Sequence, residues 1–204
     1  MTSSYIICQN YIDGNWVDSK SQILESREPA NFESIVGTFP LSNTEDINRS
    51  VLAAKNAYSS WSLEPSPARG EYLFRFAVSL EKHREELAEL ITREVGKPLS
   101  ESIKEVCECI DCARFYGAMG RSGVGEVVPS SVPNKFAMTI RQPIGVCAAI
   151  TPWNFPAVLP CWKILPAIVC GNTVVLKPSE EAPAVASFLI KILASSGLPD
   201  GVVN

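Results

Sequence analysis

Positive charge, histidine and paired cysteines are the things this sequence has little of. Lys and Arg number 18 against 22 Asp and Glu, giving a formal net charge of −4. With no basic excess, nucleic acid and anionic membrane surfaces are not expected partners. The seven cysteines are odd in number and show no paired spacing, which excludes a secreted disulfide framework. Cys107, Cys109 and Cys112 suggest a metal, but a zinc site needs four converging ligands and the single histidine, His83, is not near them. No metal is expected; the thiols read as partly buried, and His83 as solvated among Lys82, Arg84 and Glu85. Met1 to Gly14 lacks the basic and apolar regions of a signal peptide. Gln142 to Trp162 is uncharged and long enough to span a bilayer, yet holds Pro143, Pro152, Pro156 and Pro160 with Asn154 among them. Four prolines would break the hydrogen-bond ladder that lipid demands, so strand, loop and helix are expected there instead. No membrane role is expected, and the location implied is cytoplasmic.

What is present is globular: 46% hydrophobic and 20% charged residues. The chain is long enough for one large domain, or one domain with an excursion. Near the start, Asp13-Gly14-Asn15 reads as a hairpin turn between Tyr11-Ile12 and Trp16-Val17, and Glu28 to Asn31 as a second turn signal. Three helices follow. Ser42-Asn43-Thr44-Glu45 reads as a capping box linking Ser42 and Glu45, ahead of Ile47, Val51, Ala54, Tyr58 and Trp61. Ser66-Pro67 opens a helix whose stripe runs from Leu73 to Ile91 and which ends at Gly96. After Pro98 a third carries Ile103, Val106, Ile110 and Ala113. Then Val127-Val128 and Phe136 to Arg141 read as strands of a hairpin excursion.

The last sixty residues carry most of the information. Gly145 to Ile150 and Asn172 to Leu176 are apolar runs without alternation, as in strands covered on both faces. A helix between them ends at Gly171, another runs from Pro183 to Ser196, and Val202-Val203-Asn204 starts a third strand. Strand, helix, strand, helix, strand is the pattern of a parallel α/β sheet with right-handed crossovers. Such sheets bind ligands where the carboxyl ends of their strands open. Two loops leave strands there: Thr151-Pro152-Trp153-Asn154-Phe155 and Lys177-Pro178-Ser179-Glu180. If the strands are parallel neighbours, the two loops present an amide, an ammonium, a carboxylate and an indole to one crevice. That set suits a polar ligand with hydroxyls and lacks a nucleophile and a base. No G-x-G-x-x-G follows the first strand; the glycine-rich run Gly120 to Gly125 follows a helix instead, the wrong context for phosphate.

Thr151-Pro152-Trp153-Asn154-Phe155-Pro156, Trp162-Lys163, Pro166-Ala167 and Gly171 to Glu180 together resemble the aldehyde dehydrogenase family. Tyr11 to Trp16, Glu94-Val95-Gly96-Lys97-Pro98 and Gly197 to Asn204 extend the likeness along the chain. The resemblance implies an α/β fold: the incomplete Rossmann-like parallel sheet of an NAD(P)-dependent cofactor domain, with N-terminal helices, a β-hairpin extension and the catalytic domain absent. It implies three segments: 1–123, the N-terminal part of the cofactor domain; 124–142, an oligomerisation hairpin; and 143–204, the first β-α-β-α-β of the sheet. Activity would be oxidation of an aldehyde to a carboxylic acid. The nucleophilic cysteine and general-base glutamate of the family would lie beyond Asn204, so this chain alone is expected to be inactive. The alternative is a noncatalytic nucleotide-binding or self-assembling half-domain.

The resemblance also assigns roles. Asn154 matches the oxyanion-stabilising asparagine; otherwise it caps the next helix. Lys177 would reach a ribose, or else be a surface lysine. Glu180 would accept from the adenosine ribose hydroxyls and favour NAD over NADP, with NADP possible; otherwise it is an exposed residue in a first helical turn. Trp153 and the backbone of Ile150, Thr151 and Pro152 would line the nicotinamide side, with core filling the other reading of Trp153. Pro178 and Ser179 complete the second loop. The partners implied are a small-molecule aldehyde and further copies of the chain, as a dimer or tetramer through the hairpin.

Overall fold

The computed structural model describes residues 5–122 and 125–204. Gly123 and Val124, the join between the first two expected segments and part of the glycine-rich run, lie outside the described residues.

Strands β1 (Ile6–Ile7), β4 (Ile23–Glu28) and β5 (Asn31–Pro40) form one small sheet in the order β1-β5-β4, with β1 parallel and β4 antiparallel to β5. The sequence marks only the turn between β4 and β5. Their charged, irregular pattern reflects register shifts on both sides of Arg27, which disturb the simple alternation of a strand. Strands β2 (Asn10–Ile12) and β3 (Asn15–Val17) pair across the Asp-Gly turn, where Asp13 and Gly14 both take positive φ, as such a tight hairpin requires.

Helix α1 (Thr44–Trp61) is capped one residue later than its sequence suggests. The Asn43 carboxamide accepts from the amides of Glu45 and Asp46, and Asp46 accepts from the Asn43 amide. Asp46 wins over Glu45 because its carboxylate also takes a hydroxyl from Ser19, at 2.7 Å. Ser42 instead donates to Asn10. The stretch read as one helix to Gly96 is two, α2 (Ser66–Lys82) and α3 (Arg84–Val95), broken at His83. Ser66 lies inside α2 and makes no side-chain cap. His83 ends one helix and starts the next, bonded to Glu86 and set edge-on to the Phe188 ring, so it is a junction residue as well as a solvated one. Helix α4 (Leu99–Met119) follows Pro98 and packs along α2.

Strands β6 (Val127–Val128) and β7 (Ala137–Met138) pair antiparallel, so the expected strand from Phe136 to Arg141 shrinks to two residues. A two-stranded ribbon with exposed apolar side chains has nothing to extend its pairing against. Strand β8 (Val146–Ile150), helix α5 (Val158–Val169), strand β9 (Thr173–Lys177) and helix α6 (Pro183–Ala194) complete the chain. Strand β9 is central: β8 flanks it in parallel, and Val203 bridges Val174 in parallel on its other side. Leu73, Phe76 and Leu80 from α2, Ile164 and Ile168 from α5 and Leu189 from α6 meet in one core. Buried Arg69 ties two helix ends into it, donating to the carbonyls of Glu64, just past α1, and Val169, at the end of α5.

Candidate functional site

The register of the parallel pair fixes where the two loops go. Ile150 is opposite Lys177, and the Thr151 amide donates to the Lys177 carbonyl at 3.2 Å. Both strands therefore end at the same level, and their loops diverge from one point. Between them lies an open cleft of about 660 Å³. Ile150, Thr151, Pro152 and Trp153 line one side; Lys177, Ser179, Glu180 and Glu181 line the other. This volume falls in the range of small-molecule sites.

Of the residues singled out from sequence, Asn154 and Pro178 are outside the lining. Trp153 is 55% exposed and lines the cleft rather than packing into the core of the described residues. Lys177 and Glu180 form a salt bridge of 2.8 Å, each more than half exposed. The Lys177 ammonium, bonded to Glu180, holds that carboxyl below its ordinary range, helped by a backbone hydrogen bond, so it is ionised at neutral pH. Ser179 is buried, and its hydroxyl accepts from the Glu181 amide, shaping the turn into α6. Glu181 was not anticipated, although the Glu180-Glu181 pair is plain in the sequence.

Asn154 does not cap α5. The cap position is Ala157, which has no side chain able to accept. The amides of Ala157 and Val158 donate instead to the buried carboxylate of Glu105, from α4, at 2.8 and 3.1 Å. Glu105 is also salt-bridged to Lys97. An analogous arrangement starts the second crossover helix: Glu94, from α3, accepts from the amides of Ala184 and Val185 and from the Ser26 hydroxyl. Each crossover helix thus has its orphan amides and positive dipole end matched by an internal carboxylate. The Ala157, Val158, Ala184 and Val185 amides, which a bound anion would otherwise use, are already taken by these carboxylates. The cleft offers a cation, two carboxylates, hydroxyls and an aromatic plane.

The model of the aldehyde dehydrogenase family matches residues 16–204. The chain belongs to this family. Malonate-semialdehyde dehydrogenase 1 of Geobacillus thermodenitrificans is 42% identical over all of this chain and 42% of its own length. Alpha-ketoglutaric semialdehyde dehydrogenase of Bacillus subtilis is 40% identical over 96% of this chain and 40% of its own. The crystal structure of betaine aldehyde dehydrogenase from Staphylococcus aureus in complex with NAD+ superposes with a TM-score of 0.92 at 32% identity, across 97% of this chain and 40% of that one. The chain spans about two fifths of the length of the relatives it matches.

For an aldehyde dehydrogenase segment, four of the cysteines, Cys8, Cys109, Cys112 and Cys147, are in the wrong state to attack a carbonyl. Burial pushes the thiols of Cys8 and Cys112 up to about 12 and raises those of Cys109 and Cys147. A nucleophilic thiol needs the opposite shift. Glu94, Lys97 and Glu105 bond to the loops and helix starts beside the cleft, and the sequence reading left them without a role. A signal existed: Glu105 recurs with Cys109 and Cys112 at helical spacing, and Glu94 with Leu87, Leu90 and Ile91, so both carboxylates sit on apolar helix faces.

Proposed function

We propose that this chain supplies the cofactor cradle and oxyanion loop of an NAD-dependent aldehyde dehydrogenase that oxidises an aldehyde to a carboxylic acid. One observation carries the reading: β8 and β9 end in register, so their loops form a single cleft with an exposed indole on one wall and an ionised carboxylate on the other. Glu180 accepts from the ribose hydroxyls of the adenosine half, and Lys177 donates to a ribose. Ile150, Thr151, Pro152 and Trp153 lie along the nicotinamide side, while Pro178 and Ser179 set the path of the second loop. Glu180 and Glu181 together repel a 2′-phosphate, which favours NAD over NADP. NAD, held by these residues, would supply the hydride acceptor. The Asn154 carboxamide donates to the substrate oxygen that becomes negative when a nucleophile adds, a contribution on the order of 10²–10³ in rate.

The segments 1–123 and 143–204 form parts of one cofactor domain. Residues 124–142, including the exposed Val127, Phe136 and Met138, form the hairpin through which copies assemble. The second reading, a noncatalytic self-assembling half-domain, draws on that same exposed apolar hairpin.

NAD titrated against intrinsic tryptophan fluorescence tests the cradle. Saturable quenching is expected, and Glu180→Ala weakens it roughly tenfold or more, the scale of a hydrogen bond to a charged group. Quenching that is absent, or indifferent to Glu180→Ala, removes the proposal. Because none of the chain's seven cysteines stands in the sequence context of the family's nucleophile, an NADH-formation assay over an aldehyde panel is expected to show no turnover by these 204 residues; turnover would refute the nucleophile assignment.

A further inference from the structure

The far end of the loop that carries Asn154, where it enters α5, is held by one ion pair, and this goes beyond the roles assigned above. The Lys97 ammonium is salt-bridged to Glu105, donates to the Asn154 carbonyl at 3.3 Å, and lies 4.5 Å from the centroid of the Phe155 ring. The Lys97 side chain is 16% exposed and that of Glu105 is fully buried. One Glu105 oxygen takes the Lys97 ammonium; the other takes the amides of Ala157 and Val158. The pair therefore contacts residues 154, 155, 157 and 158 at once. On the other side of the loop, Thr151 is fixed to β9. Among the described residues, the Asn154 side-chain amide itself has no hydrogen-bond partner, so its aim depends on the backbone that bears it.

We infer that Lys97 and Glu105 are positioning residues for the oxyanion donor: their ion pair sets the backbone of residues 154–158 and thereby the direction of the Asn154 amide. The inference rests on the reading of Asn154 as that donor. Its logic is electrostatic. Burying a carboxylate is costly without partners, and this one finds an ammonium and two helix-terminal amides. Burying the ammonium is offset by the carboxylate, a carbonyl and an aromatic face. Each charge is satisfied only while the loop keeps its present course.

The test is heteronuclear NMR with amide hydrogen exchange on the 204-residue chain. In the unmodified protein, the Asn154 side-chain NH₂ gives one resolved pair of resonances, and the Ala157 and Val158 amides exchange slowly. Lys97→Met keeps the bulk but removes the cation. It is expected to shift or broaden the Asn154 NH₂ pair while thermal unfolding stays cooperative, and Lys97→Arg is expected to restore the pair. Glu105→Gln retains an acceptor for the two amides and keeps their protection. Glu105→Ala speeds their exchange on the order of tenfold or more. If Glu105→Ala does not fold, Lys97→Met, Lys97→Arg and Glu105→Gln still decide. Asn154 resonances that are unchanged in Lys97→Met, or changed equally in Lys97→Arg, would overturn the inference. NAD quenching of the unmodified chain is read separately, so a failed cradle and a failed positioning pair give different results.

Discussion

Two buried glutamates, Glu94 and Glu105, hydrogen-bond the N-terminal helices to the starts of the crossover helices. Glu94 is 3% exposed, and its carboxylate is the meeting point of β4, α3 and α6. Burial raises its pKa, with the Val185 and Ala184 amides and the Ser26 hydroxyl pulling the other way. A carboxyl raised in the folded state binds its proton more tightly there than in the unfolded chain. Stability should therefore fall as pH climbs from the ordinary glutamate value to the raised one, and be level in this respect above it. Urea unfolding of the native chain against Glu94→Gln, which cannot titrate, isolates that slope. Glu94→Ala strands two amides and a hydroxyl inside the protein and is expected to cost about 3–5 kcal/mol, whereas Glu94→Gln keeps one of the two acceptor oxygens and costs less. Equal losses in the two variants would show that packing, not hydrogen bonding, is what Glu94 contributes.

At the scale of elements, the crossing of α2 and α4 depends on two glycines. A Cβ on Gly70 would run into the Gly117 backbone, where nothing flexible can yield. A Cβ on Gly117 would meet the Gly70 carbonyl and the Phe74 ring at about 3.2 Å, a tight but softer fit. Helix propensity favours alanine over glycine at both positions by about 1 kcal/mol. Gly70→Ala is therefore expected to destabilise by about 1–3 kcal/mol through overpacking, and Gly117→Ala to sit closer to neutral. Thermal unfolding of the two variants ranks them, and the reverse order would contradict the packing described. Element boundaries show why periodicity misleads. Leu80 and Leu87 are seven residues apart and hold the same stripe through the break at His83, so the pattern is blind to a turn that keeps phase. The cap of α1 moved by one residue because Ser19, 27 positions from Asp46, enters the capping network, and local spacing carries no trace of that contact.

Over the whole molecule, the exposed apolar residues of the hairpin region, Val127, Phe136, Met138 and Ile140, call for a cover that these residues do not supply themselves. The proposed assembly predicts that Phe136→Asp with Met138→Asp shifts the chain to a smaller species in size-exclusion chromatography without altering its circular dichroism. Elution unchanged from a monomeric parent would place self-association elsewhere.

The β-α-β-α-β order, the parallel pair and the two loops were legible in the sequence. Unbroken apolar runs ending in polar loops have few other stable solutions than a sheet covered on both faces. The motif residues likewise named the family before any coordinate did. What tertiary structure alone decided is which groups answer each other. Asn204 accepts from the Asp13 amide, 191 positions away, and Glu105 and Glu94 accept from helix-start amides 52 and 90 residues beyond them. Those partnerships join charges and amides that are unrelated along the chain. Periodicity can show that such a glutamate faces inward, but only the folded packing of helix on sheet fixes the amide it meets there.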